Sequence, residues 1–188
     1  ARVAERILLE PQAERVFVRI EKLDRGPFSL GVEIVRARDG HKPAGQVHAT
    51  ALHPRVMYLS NAAMTAPALT DWLDQAIKMT APLIVCIGSA DTAAPQANHA
   101  LAQRRIDLLA IEQNAWVLAA RDPRLIVVET RTELDWAMKN GQTCIWAPSK
   151  IVLDAVDGPS ASPRDAVTLV AWFAAQMEAA ELLIIGEA

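Results

Sequence analysis

Three unbroken apolar runs constrain this chain more than any other feature: "LIVCIG" at 83–88, "LIVVE" at 125–129 and "LLIIG" at 182–186. Successive side chains of a strand point to opposite faces, so a strand apolar at every position is covered on both sides. Segments of helical length separate these runs. We read strands at 56–60, 83–88, 124–129, 143–147 and 181–186. Helices are expected at 67–79, 98–121, 131–140 and 164–179. Strands alternating with helices in this way imply βαβ units, a mostly parallel sheet and helices on both faces.

The first 38 residues follow another pattern. Val3, Ile7 and Leu8 share a helical face within "ARVAERILLE". Val16, Val18 and Ile20 alternate with Phe17, Arg19 and Glu21, and "GVEIVR" alternates again, so 15–36 reads as an antiparallel pair joined by a loop. In "DGHKPAGQVHATALHP" Gly40, Pro43, Gly45 and Pro54 break any period. The expected organisation is therefore a small α+β antiparallel piece at 1–38, a linker at 39–54 and an α/β domain at 55–188. Asp71 and Thr132 suit first turns or caps, and Gly141 suits a helix end.

The 188 residues are enough for a core that needs no metal or disulfide staple. A net charge of −3 with no long basic run gives no footprint for nucleic acid and no pull toward an anionic membrane. No apolar run approaches the roughly 18 residues of a membrane span, and no signal peptide opens the chain. Cys86 and Cys144 lie inside apolar runs and read as buried, reduced thiols of a cytoplasmic protein. His41, His48, His53 and His99 are scattered, without ligand spacing, so no metal is expected. The tryptophans, Trp116, Trp136 and Trp172 among them, are expected in the core or at an interface. The chain opens without Met inside a helical pattern and closes on a strand, so it reads as processed, truncated or incompletely observed.

The stretch "RVAERILLEPQAERVFVRIEKLDRGPFSLGVEIVR" at 2–36 resembles the C-terminal part of dihydroneopterin aldolases. The shared features are the "AERI" helix, a strand ending in lysine, a Pro-containing loop and "GVEI" on the last strand. The resemblance implies a pterin ligand and retro-aldol cleavage of dihydroneopterin to hydroxymethyl-dihydropterin and glycolaldehyde. It assigns acid–base work to Lys22. A pocket that desolvates an ammonium lowers its pKa toward neutrality, which suits that work. Glu21 points to the other face of the strand and need not pin Lys22. The family usually has proline after this lysine, where this chain has Leu23. The family's pterin-holding glutamate falls upstream of Ala1.

Residues 56–186 resemble the amino acid kinase family, which includes aspartate, acetylglutamate and uridylate kinases. "RRIDLLAIEQNAWVLAA" is similar to a long helix of its short members. The order continues through "ELDWAMKNGQTCIWAPSKIVL" to "AVTLVAWFAAQMEAAELLIIG". The family ends its first strand in "VKxGGS", with a lysine on the phosphates and glycines that let the backbone wrap them. Here Tyr58 stands at the lysine, Ser60 and Asn61 replace the glycines, and the second loop reads "IGSADTAA", keeping only Gly88. The stretch that handles substrate in relatives is "SASPRDAV".

Micromolar nucleotide binding requires about 8 kcal/mol, and a helix N-terminus supplies roughly 0.3–2 kcal/mol of it. A Cβ at the close-approach positions obstructs the rest. The domain is therefore expected not to transfer phosphate. Ligand-binding candidates are Tyr58, Ser60, Asn61, Gly88, Ser89 and Asp165. Ser89 with Asp91, and Ser162 with Asp165, suit helix capping better than a ligand role. Glu112 and Gln113, which interrupt an apolar helix, suit packing or a subunit contact.

Three functions stay open: an aldolase-type lyase of pterin biosynthesis with a degenerate kinase-like domain, a non-catalytic binding or scaffold protein, and a small-molecule kinase. No cofactor is implied. Edge strands within 15–36 favour association, so a homo-oligomer is expected.

Overall fold

A computed structural model describes residues 2–22, 30–38, 52–160 and 162–186. The chain divides into two compact units, residues 1–49 and 50–188. Most of the expected linker, His41 and His48 included, lies outside the described residues.

The first unit holds α1 (Arg2–Ile7), β1 (Arg15–Lys22) and β2 (Leu30–Ala37). β1 and β2 pair antiparallel from Arg15 opposite Ala37 to Lys22 opposite Leu30. The alternation in sequence sets this register, since a slip of one residue would turn every apolar side chain to the other face. Arg38 ties the helix to the hairpin by donating to the carbonyls of Leu8 at 2.9 Å, Glu10 at 2.6 Å and Ala13 at 2.9 Å. Ala4 and Val16 are buried, whereas Ile20 and Val32, opposite each other, are exposed.

The second unit is the α/β domain. Its strands are β3 (Arg55–Leu59), β4 (Leu83–Ile87), β5 (Ile126–Val128), β6 (Cys144–Trp146) and β7 (Glu181–Ile185). They form one five-stranded sheet in the order β5-β6-β4-β3-β7, parallel throughout. Every residue of β3, β4 and β6 is buried, as unbroken apolar runs require of central strands. The helices are α2 (Asn61–Thr65), α3 (Leu69–Ile77), α4 (Ala100–Ala119), α5 (Arg131–Lys139), α6 (Ser149–Asp154) and α7 (Ala166–Gln176).

Right-handed crossovers put α3 and α4 on one face and α5 and α7 on the other. Side chains agree. Arg121 of the α4 end donates to the Met64 carbonyl at 2.6 Å, and Arg124 pairs with Asp74 of α3 at 2.6 Å. On the far face Arg131 of α5 reaches Gln176 of α7, and Trp146 of β6 stacks on Phe173 of α7 with centroids 3.9 Å apart.

Two helices were not expected. The region read as one helix at 67–79 is α3 alone, preceded by α2, which starts straight after β3. Ser60 begins α2 as its N-cap, and Pro67 falls between the two helices. α6 is six residues long, too short to show a period. Asp71 lies in the first turn of α3, as expected. The cap of α5 is Thr130, two residues before Thr132. Its hydroxyl accepts from the Glu133 N–H at 3.1 Å while the Glu133 carboxylate accepts from the Thr130 N–H at 2.9 Å. Gly141 follows that helix at φ +64°, the left-handed end that glycine favours. Among the described residues no helix is long and apolar enough to cross a membrane.

Candidate functional site

Ligands of open parallel sheets sit beyond the carboxyl ends of the strands, where neighbouring strands send their chains to opposite faces. In this sheet β4 and β6 are such neighbours. β4 leads to α4 on one face, and β6 leads by way of α6 to α7 on the other. The described segments at this switch are 88–99 after β4, 147–148 after β6, and 155–160 and 162–165 before α7.

The expected ligand residues at the first two strand ends are engaged with the protein itself. Ser60 Oγ accepts from the Ala63 N–H at 3.1 Å, capping α2, and the Ser60 N–H donates to the Ile185 carbonyl at 3.0 Å. Gly186, at φ +87°, passes close against that same hydroxyl, where a Cβ would collide. Asn61 Nδ2 donates to the Ser89 carbonyl at 2.9 Å and to Asp91 Oδ1 at 2.7 Å. Asn61 Oδ1 accepts from Asn114 Nδ2 at 3.0 Å. Asn114 is buried within α4 and donates also to the Gly88 carbonyl at 2.9 Å. One buried amide thus clamps the ends of β3 and β4 together.

Tyr58 is buried too. A Cβ placed on Gly88 would stand 3.1 Å from the Ala166 methyl and 3.4 Å from the Tyr58 hydroxyl. Packing therefore favours a glycine at position 88. Ser89 and Asp91 do not cap a helix, contrary to one of the two expectations for them. Asn61 holds both, and the helix that follows begins after His99. Asp165 does cap α7, accepting from the Thr168 N–H at 3.1 Å, and its pKa is lowered first by the Thr168 side chain and then by that N–H. Lys22 belongs to the first unit. It ends β1 and is exposed, and Glu21 is engaged by Arg19 at 2.6 Å.

Beside the clamp lie two adjoining clefts, of about 380 Å³ and 320 Å³. These volumes fall in the range typical of small-molecule pockets. They share Thr92, Ala93, Ala94 and Ala110, so α4 and the loop after β4 wall both. Ile106, Leu109 and Val117 make the larger one apolar. Asp107 and Arg164 line the smaller. Asp107 Oδ1 accepts from Gln103 Nε2 at 2.8 Å and from Arg164 Nε at 3.1 Å. The Asp107 side chain is 7% exposed and that of Arg164 53%.

Neither Asp107 nor Arg164 was expected to matter as a pair. The available signal was the buried stripe of α4, where Asp107, Leu108, Ile111, Asn114, Ala115 and Leu118 recur at helical spacing. Two polar residues on that stripe must have partners.

Other candidates resolve simply. Cys86 and Cys144 are free and buried. Burial pushes the Cys144 thiol up to about 12 and Cys86 well above its ordinary value. His53 Nδ1 lies 2.8 Å from the Glu178 carbonyl oxygen. Among the described residues no group of His, Cys, Asp and Glu could hold a metal ion. Trp146 is fully buried, whereas Trp116 is 60% exposed, which leaves the interface alternative for it. Glu129 has a raised pKa, from burial first and then from the charges of Glu112 and Glu133. Comparison of the chain with family models, with curated proteins and with solved structures gave no match.

Proposed function

We propose that the chain is an aldolase-type lyase of pterin biosynthesis that carries a ligand-binding α/β domain without phosphotransfer activity. The observation that supports the lyase reading is the order of the first unit. A short helix precedes an antiparallel pair, and Lys22 ends the first strand opposite Leu30. That is the arrangement on which the likeness to dihydroneopterin aldolases rests. Lys22 is exposed, so its ammonium is open to a pterin. Lysine is suited to passing a proton during carbon–carbon cleavage once a bound ligand excludes water from it. The full chain incubated with dihydroneopterin should release glycolaldehyde, and Lys22→Ala should lose that activity. Unchanged release by Lys22→Ala refutes the assignment.

A second reading is a binding protein with no catalysis of its own, and the strand ends of the second unit favour it. Ser60, Asn61 and Gly88 are committed to capping, clamping and packing. Ser60 and Asn61 carry side chains where phosphate cradles use glycine, and a Cβ there hinders close approach of the backbone to an anion. The adjoining clefts remain open for a small ligand. Incubation with ATP and Mg²⁺ across candidate acceptors should give no ADP. ADP release that disappears in Asp165→Ala would restore the kinase reading. Native mass spectrometry of the purified chain would reveal a retained ligand.

A further inference from the structure

The geometry points to the Asp107–Arg164 cleft as a site for a flat, neutral heterocycle bearing an amino-lactam edge, the edge shared by guanine nucleosides and pterins. This inference rests on the ligand-binding reading of the second unit and names its ligand class.

Asp107 presents a carboxylate that is nine-tenths buried yet lines a cleft. Both of its side-chain hydrogen bonds go to Oδ1, so among the described residues Oδ2 accepts none. Oδ2 is not among the side-chain oxygens sealed from solvent without a partner, so it is open to the cleft, where a ligand N–H can donate to it. Arg164 commits Nε to Asp107 and one terminal nitrogen to Gln96 Oε1 at a long 3.4 Å. The guanidinium has five N–H donors in all, so it retains donors for a ligand acceptor.

An acceptor oxygen beside a ring N–H and an exocyclic amino group matches this pair. The amino-lactam donates to the carboxylate and accepts from the guanidinium. Asp107 and Arg164 already neutralise each other, so a cationic ligand gains little from the pair. A zwitterion would have to surrender the hydration of two charges. Shape agrees with charge. The strip common to both clefts is built of Ala93, Ala94, Ala110 and Thr92, small side chains that leave a slot for a planar ring. Beyond it Ile106, Leu109 and Val117 offer an apolar wall for the rest of the molecule.

The test is calorimetric titration of the full chain with guanosine and with pterin. Inosine and lumazine, which lack the amino group, serve as paired controls, and leucine serves as the zwitterion. At least one amino-lactam probe should bind, at least about tenfold more tightly than its control, the penalty of one lost hydrogen bond to a charged group. Which of the two binds identifies the source of the edge. Asp107→Asn should weaken that binding about tenfold or more. Ala93→Leu, which fills the slot without touching the ion pair, should abolish it. Lys22→Ala should leave it unchanged while ending glycolaldehyde release, so the lyase reading and this one fail separately. The inference is overturned if neither probe binds, if Asp107→Asn or Ala93→Leu binds as tightly as the parent chain, or if leucine binds better.

Discussion

Replacing Asn114 by alanine removes the amide that joins the ends of β3 and β4. Three contacts go at once: donation to the Gly88 carbonyl at 2.9 Å, donation to Asn61 Oδ1 at 3.0 Å and a contact with the Met64 sulfur at 3.6 Å. Each hydrogen bond is worth about 1 kcal/mol net, and a buried acceptor left without its donor costs about 1–3 kcal/mol. Gly88 is buried, so its carbonyl bears that larger cost. Asn61 is only half-buried, and its oxygen can turn to water. The expected loss is about 2–4 kcal/mol. In urea that is a shift of the unfolding midpoint by about 1 M or more. Asn61→Ala should cost less, about 1 kcal/mol, because its bond to Asp91 is exposed. Hydrogen exchange followed by mass spectrometry should show faster exchange across 88–97 in Asn114→Ala. A loss below about 0.5 kcal/mol, or a larger loss in Asn61→Ala than in Asn114→Ala, would refute the account of the clamp.

Three other outcomes follow from the same structure. Phe173→Ala should destabilise the second unit by about 3–5 kcal/mol in denaturant titrations, because it opens a cavity against the fully buried Trp146. Thr130→Ala should cost about 0.5–2 kcal/mol by breaking the reciprocal cap of α5, and Thr130→Ser should cost less. Hydrogen bonds from the Arg124 side chain hold the Asp122 carboxyl below its ordinary pKa. Its folded pKa is depressed, so the stabilisation is present above the unfolded value near 4 and fades as pH falls through the folded value. Asp122→Asn should therefore reduce the melting temperature near pH 7 and make little difference once the parent chain's own carboxyl is protonated. An equal loss at both extremes would count against the ion pair.

The sheet was legible because "LIVCIG" and its counterparts are apolar at every position, a pattern that central parallel strands demand. Strand and helix ends were less so. Thr132 suited a first turn or a cap and lies in the first turn of α5, while the capping box needs its hydroxyl three residues before the glutamate, which selects Thr130. α6 escaped notice because six residues hold too few turns to show periodicity. The site was hardest to read. Asp107 and Arg164 are 57 residues apart, and the crossover from β6 to β7 is what brings them together. No local pattern encodes that meeting. Of the residues singled out at the strand ends, Ser60, Asn61 and Asp165 are engaged in caps and in the clamp, and Ser89 lines the smaller cleft.

Gly88 shows how tightly its surroundings constrain this strand end. The Ala166 methyl and the Tyr58 hydroxyl stand 3.1 Å and 3.4 Å from where a Cβ would sit, and the Asn61–Asn114 pair donates to the neighbouring carbonyls. A lysine at position 58 would arrive in a packed interior. A change at any one of these positions calls for a compensating change at another, so they are expected to covary rather than drift independently.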